Sequence, residues 1–138
     1  MIGVLLVTHG RIGASLLEST AQILDAAPRL TATLGVSRQD APDDLLQRAR
    51  KLVKQLDEGD GVLVLTDIFG ATPGNVIARI LEDGRVEGVS GVSLPMLLRV
   101  LSNRDGAPDL SVRQLVQLAL SGGADGVVHM NTDRCCDA

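Results

Sequence analysis

"IGVLLVTHG", residues 2–10, carries an aliphatic run straight into a histidine and a glycine. A run this apolar, without polar alternation, suits a strand covered on both faces by helices. "LTATLGV" (30–36) and "DGVLVLT" (60–66) repeat the pattern, and "VEGVSGVS" (86–93) is a weaker version loosened by Gly88 and Gly91. Amphipathic stretches lie between them. "SLLESTAQILDAA" (15–27) sets Leu16, Leu17, Ile23 and Leu24 at helical spacing, with Pro28 as a stop. "PDDLLQRARKLVKQL" (42–56) starts with Pro42, Asp43 and Asp44 and turns basic later, as the helix dipole favours. "PGNVIARILE" (73–82), "PMLLRVLSN" (95–103) and "SVRQLVQLALSG" (111–122) predict three more helices, and "GVVHM" (126–130) a short last strand.

Strand and helix in alternation imply right-handed crossovers. The expected fold is therefore α/β: a doubly wound, mainly parallel four-stranded sheet of order 2-1-3-4, with helices on both faces. The short C-terminal strand either joins this sheet or is exchanged with a second copy. One domain over 1–130 is expected, followed by a flexible tail at 131–138 with no apolar pattern.

Composition narrows the function. The 138 residues are 45% apolar, yet include one Phe and no Trp or Tyr, so the core must be aliphatic. Few aromatics argue against base stacking, and a net charge of -4 without a basic cluster argues against a nucleic-acid partner. Cys135 and Cys136 are adjacent, which suits neither a mutual disulfide nor a zinc site, so a reduced cytoplasmic protein is expected, with no metal. No apolar stretch approaches the roughly 20 residues of a membrane span.

In open α/β sheets ligands bind beyond the carboxyl ends of the strands, where strand order reverses. With order 2-1-3-4, that point lies between the first and third strands. His9 follows the first, and Asp67 follows the third inside "LTDIFGATPGN" (65–75). A carboxylate holding the Nδ1 proton of an imidazole leaves the Nε2 lone pair free as a nucleophile. Thr72 reads as an N-cap and Pro73 as a first helical residue, with Gly70 and Ala71 leaving the approach open. That helix start would seat a phosphate, and "GRIGAS" (10–15), beginning at Gly10, would offer a second seat. The residues alone thus point to a histidine-centred site for a phosphate-like anion. His129 is expected to pack at an edge, and Arg11 to steer an acidic patch or a phosphoryl group.

"GVLLVTHGRIGASLLES", "VLVLTDIFGATPGNVIAR" and "VEGVSGVSLPMLLRVL" (86–101), in that order and at that spacing, resemble the mannose/fructose-type IIA component of the bacterial phosphotransferase system. The likeness covers roughly residues 1–130. It implies a phosphocarrier without a cofactor, in which His9 takes a phosphoryl group on Nε2 from HPr and passes it to a histidine of a IIB component. By the same resemblance Asp67 orients His9, Thr72 and nearby backbone N–H groups hold the phosphoryl oxygens, and the protein is a homodimer. Ser93 stands where the family more often carries Asn, and with Arg11 and Pro95 it would form the rim that meets partners. No IIB segment follows residue 138, so the acceptor is expected on a separate chain, with peripheral association to a membrane IIC/IID complex. Without such an acceptor the chain would be a regulator reporting phosphorylation state.

Four other readings compete. A histidine phosphatase also places His-Gly after its first strand, but Thr8 occupies the position of its phosphate-binding arginine. A receiver domain would use Asp67 as acceptor, yet lacks here the acidic pair after strand one. The IIA-like subunit of dihydroxyacetone kinases shares the histidine but lacks the G-x-T-P-x-N pattern of residues 70–75. A binding module for a small anion would hold no covalent phosphate.

Overall fold

The computed structural model describes residues 1–132; Cys135 and Cys136 lie outside the described residues. Nine elements alternate along the chain. They are β1 (Gly3–His9), α1 (Ile12–Leu24), β2 (Thr31–Val36), α2 (Pro42–Leu56), β3 (Val62–Thr66), α3 (Thr72–Ala78), β4 (Val86–Ser90), α4 (Leu94–Gly106) and α5 (Val112–Asp125). The four strands form one sheet, wholly parallel, in the expected order β2-β1-β3-β4.

Each central strand serves two cores because its side chains alternate. Val4 and Leu6 of β1 join Leu63 and Leu65 of β3 beneath α4 and α5, around Leu97, Leu101 and Leu115. Leu5 and Val7 face the other way with Val62 and Val64, against Leu45, Leu46 and Ala49 of α2 and Val76 and Ile77 of α3. Burial on both faces explains why these strands show no polar alternation. Leu5, Leu6, Leu63 and Leu65 are all fully inaccessible.

Several boundaries move, each for a local reason. Helix α1 begins at Ile12, three residues before the predicted stretch, because the buried Thr8 hydroxyl accepts the Gly13 N–H at 2.8 Å. It ends at Asp25, whose left-handed backbone returns an N–H to Ala21, before Pro28 can act as the stop. Helix α3 stops at Ala78 rather than 82, and β4 stops at Ser90, where Gly91 turns the chain with φ +79°.

The predicted strand at 126–130 does not form in the chain on its own. Helix α5 runs on to Asp125, Gly126 donates its N–H to Gly122, and the chain then turns. Val127, Val128 and Met130 are left exposed. Of the expected tail, residues 131–132 close a turn in which the Thr132 N–H bonds the His129 carbonyl.

Among the described residues one charged side chain is buried. The Arg104 side chain is 1% exposed and donates to the carbonyls of Ile2, Arg29 and Leu30, with Asp105 at 3.0 Å as its counterion. It thereby ties the end of α4 to the segments that open β1 and β2. Burial lowers its basicity, and Asp105 opposes that fall.

Candidate active site

His9 is the last residue of β1 and Asp67 the first after β3, so the parallel pairing of these two strands brings them together at the carboxyl edge. His9 Nδ1 lies 2.9 Å from Asp67 Oδ2, and the same oxygen accepts the His9 backbone N–H at 3.1 Å. Asp67 Oδ1 takes the Ile68 N–H at 3.1 Å and the Thr66 hydroxyl at 3.4 Å. Burial alone would raise the Asp67 carboxyl, but the hydrogen bonds from the His9 ring and backbone outweigh it, and the group is held below the ordinary carboxylate range. An ionised carboxylate only accepts, so Nδ1 must carry the proton. The ring is 48% exposed against 13% for Asp67, and among the described residues nothing hydrogen-bonds Nε2. The free lone pair therefore faces outward.

The loop that presents His9 depends on close backbone packing. Gly10 has φ +49° and donates its N–H to Val36 at 3.0 Å. A Cβ at Gly35, on the neighbouring strand, would sit 2.3 Å from the Gly10 carbonyl oxygen. A side chain there would push the His9–Gly10 turn away from the sheet.

An open cavity of about 510 Å³ borders the ring, lined by His9, Gly10, Val36, Ser37, Arg38, Gln39 and Thr72. Of the expected site residues, Gly10 and Thr72 thus share a cavity with His9. Thr72 is not the cap, however. Ala71 takes that position, extended and without a side-chain cap, and Thr72 is the first helical residue, its hydroxyl unbonded among the described residues. Gly70 makes the turn before it with φ +87°.

In "GRIGAS" the Gly10 and Gly13 N–H groups are already given to Val36 and Thr8. Arg11 lies in a neighbouring groove with Ile12 and Leu94 and pairs with Glu18 at 3.2 Å. Ser93 caps α4 by accepting the Met96 N–H, and Pro95 lies close against Gly126, so neither lines the His9 cavity.

Sequence reasoning passed over Ser37, Arg38 and Gln39. The signal was present: β2 pairs with β1, with Val36 opposite His9, so the residues just after Val36 must flank the imidazole. It also passed over the exposure of Ile68 (54%) and Phe69 (82%), which come directly after Asp67. Among the described residues no three His, Cys, Asp or Glu side chains converge as metal ligands, and no helix is long and apolar enough to cross a membrane.

An oriented imidazole at the switch point of a parallel α/β sheet has the chemistry of a nucleophile or a general base. Comparison with known proteins gives the family. The family described as "PTS system fructose IIA component" matches residues 3–116, and the chain belongs to it. It is 37% identical over 106 residues to the PTS system fructose-specific EIIA component of Bacillus subtilis, covering 76% of this chain and 72% of that protein. It is 32% identical over 127 residues to the PTS system mannose-specific EIIAB component of Escherichia coli, covering 91% of this chain but only 38% of that longer protein. In fold it matches the EIIA component of Streptococcus agalactiae, with TM-score 0.83, 24% identity and 96% and 99% of the two chains covered. The family's members are the phosphotransfer components of sugar phosphotransferase systems.

Proposed function

We propose that this chain is a phosphohistidine carrier: His9 Nε2 accepts a phosphoryl group from HPr and passes it to a IIB component, in sugar uptake or its regulation. The observation that carries the reading is the 2.9 Å contact from Nδ1 to Asp67 beside an exposed Nε2. In the forward step the Nε2 lone pair attacks phosphorus in line, the donor's N–P bond breaks, and that electron pair returns to the donor imidazole. The ring of His9 gains positive character while its Nδ1–H stays bonded to the Asp67 carboxylate, which offsets the charge. Transfer onward is the same exchange in reverse, with an acceptor imidazole as nucleophile. No proton has to move, so the protein's work is positioning and shielding. Thr72, at the cavity wall, offers its hydroxyl to the phosphoryl oxygens. Ile68 and Phe69 give HPr and IIB an apolar footing.

The test is phosphorylation from phosphoenolpyruvate through enzyme I and HPr. One acid-labile phosphate is expected, on His9, absent from His9→Gln. A wild type left unlabelled under conditions that label another IIA component refutes the carrier, and steady release of inorganic phosphate would make it a hydrolase. Work in the cytoplasm, beside membrane IIC and IID components, is a consequence of the relay and stands or falls with that labelling.

The same reading includes a homodimer. Val127, Val128 and Met130 are exposed, and among the described residues β4 pairs with β3 and, at Val86, bridges to Glu82, so the outer edge beyond Val86 is open to a strand from a second copy. Light scattering at micromolar concentration is expected to give twice the chain mass. A monomer would reject the exchange.

A further inference from the structure

We infer that Arg38 is the cation that receives the phosphoryl oxygens on His9 during transfer. The inference rests on the carrier reading and adds to it a residue that contacts the moving group.

Strand β2 ends at Val36, opposite His9. Neighbouring strands lie about 4.8 Å apart, so the next residues emerge beside the imidazole. They do so in a fixed turn. Asp40 Oδ2 accepts the Ser37 N–H at 2.8 Å and the Ser37 hydroxyl at 3.1 Å, while the Asp40 N–H returns to the Ser37 carbonyl at 3.2 Å. Arg38 and Gln39 occupy the centre of this turn, and both line the His9 cavity.

The neighbouring cations are committed elsewhere. Arg11 pairs with Glu18, Arg48 with Asp40 at 3.8 Å and Arg79 with Asp43 at 4.0 Å. Among the described residues no carboxylate comes within ion-pair distance of Arg38, and Asp40, the acid closest in sequence, is already held by Ser37 and Arg48. Arg38 is the arginine that the cavity holds in reserve.

Electrostatics calls for such a group. The site contains the Asp67 carboxylate, held ionised next to the imidazole, and transfer brings in a second anion. Without a cation, the two repel across the ring. A guanidinium offers a planar fork of N–H donors that matches two phosphoryl oxygens at once. Arg38 forms and breaks no covalent bond and gives up no proton. Its N–H groups track the charge that builds on the equatorial oxygens as one N–P bond lengthens and the other forms. An exposed arginine in an open cavity should do less than one in a closed site, so a factor of about 10–100 in transfer rate is expected.

The experiment compares wild type, Arg38→Gln, Arg38→Lys and Arg50→Gln, the last removing a charge from the exposed face of α2. Each is phosphorylated by HPr, with rates taken across HPr concentration and salt, and each product is examined by phosphorus NMR. Arg38→Gln should still be labelled on His9, about 10–100-fold more slowly, chiefly through kcat. Its phosphohistidine resonance should shift, Arg38→Lys should recover part of the rate, and Arg50→Gln should match wild type. Equal rates for Arg38→Gln and wild type overturn the assignment while leaving the carrier intact. So does a loss shared with Arg50→Gln that disappears at high salt, or an unmoved phosphorus resonance. An unlabelled wild type overturns both.

Discussion

Asp67→Asn should slow phosphorylation of His9 by roughly 10²- to 10⁴-fold while leaving the protein folded. Both carboxylate oxygens act purely as acceptors, from the His9 ring and backbone on one side and from Ile68 and Thr66 on the other. An amide accepts on one side only. If its NH₂ faces His9, it donates to Nδ1, the ring proton moves to Nε2, and the nucleophilic lone pair is lost. If its NH₂ faces the Ile68 N–H, the tautomer survives, but the negative charge that offsets the phosphorylated ring is gone. Transfer kinetics from HPr measure the loss, and nitrogen-15 NMR of the imidazole shows which tautomer remains. A rate within a few-fold of wild type would remove Asp67 from the mechanism.

The same substitution has a signature in acid. Asp67 has a lower proton affinity folded than unfolded, so its ionised form stabilises the fold above the usual carboxylate range of about 3.9. That contribution fades as pH falls through its folded value. The stability gap between wild type and Asp67→Asn should therefore be largest near neutrality and close in acid. Denaturation midpoints across pH measure it; a gap that widens in acid would contradict the sign.

Arg104→Ala should cost about 3 kcal/mol or more of folding stability, with little effect on phosphorylation by the protein that remains folded. The buried guanidinium serves three backbone carbonyls, of Ile2, Arg29 and Leu30, and truncation takes that donor from each of them. The Leu30 carbonyl also takes the Val4 N–H that seats β1, and Leu30 itself holds φ at +50°, a costly backbone for a branched side chain. Arg104 thus pins a strained corner where two strands begin. Lysine has no planar fork, and Arg104→Lys should recover less than half of the loss. Urea titration decides it, and a change under about 1 kcal/mol would show that water replaces the guanidinium at little cost.

Much of this architecture is legible in residue order because its physics is local. Aliphatic runs without alternation require two covered faces, and β1, β3 and the helices between them come from that requirement alone. His9 and Asp67 are legible for the same reason, since each ends a strand that two-sided burial makes easy to find. Legibility fails where a tertiary partner changes a local preference. Thr72 has the chemistry of a cap, yet α3 begins one residue earlier than its sequence predicts, which puts the extended Ala71 in the cap position. Helix α1 starts at Ile12 because the buried Thr8 of β1 accepts the Gly13 N–H.

Residue types and spacing alone established a parallel sheet and the pair of groups at its carboxyl edge, because hydrophobic burial acts on whole strands and tolerates small shifts. The three-dimensional arrangement alone decided which charges matter. It set Arg11 against Glu18, placed Arg38 at the wall of the cavity beside His9 and buried Arg104 at the end of α4. Ion pairs and hydrogen bonds depend on separations of a few ångströms between residues far apart in the chain, and only folding sets those distances.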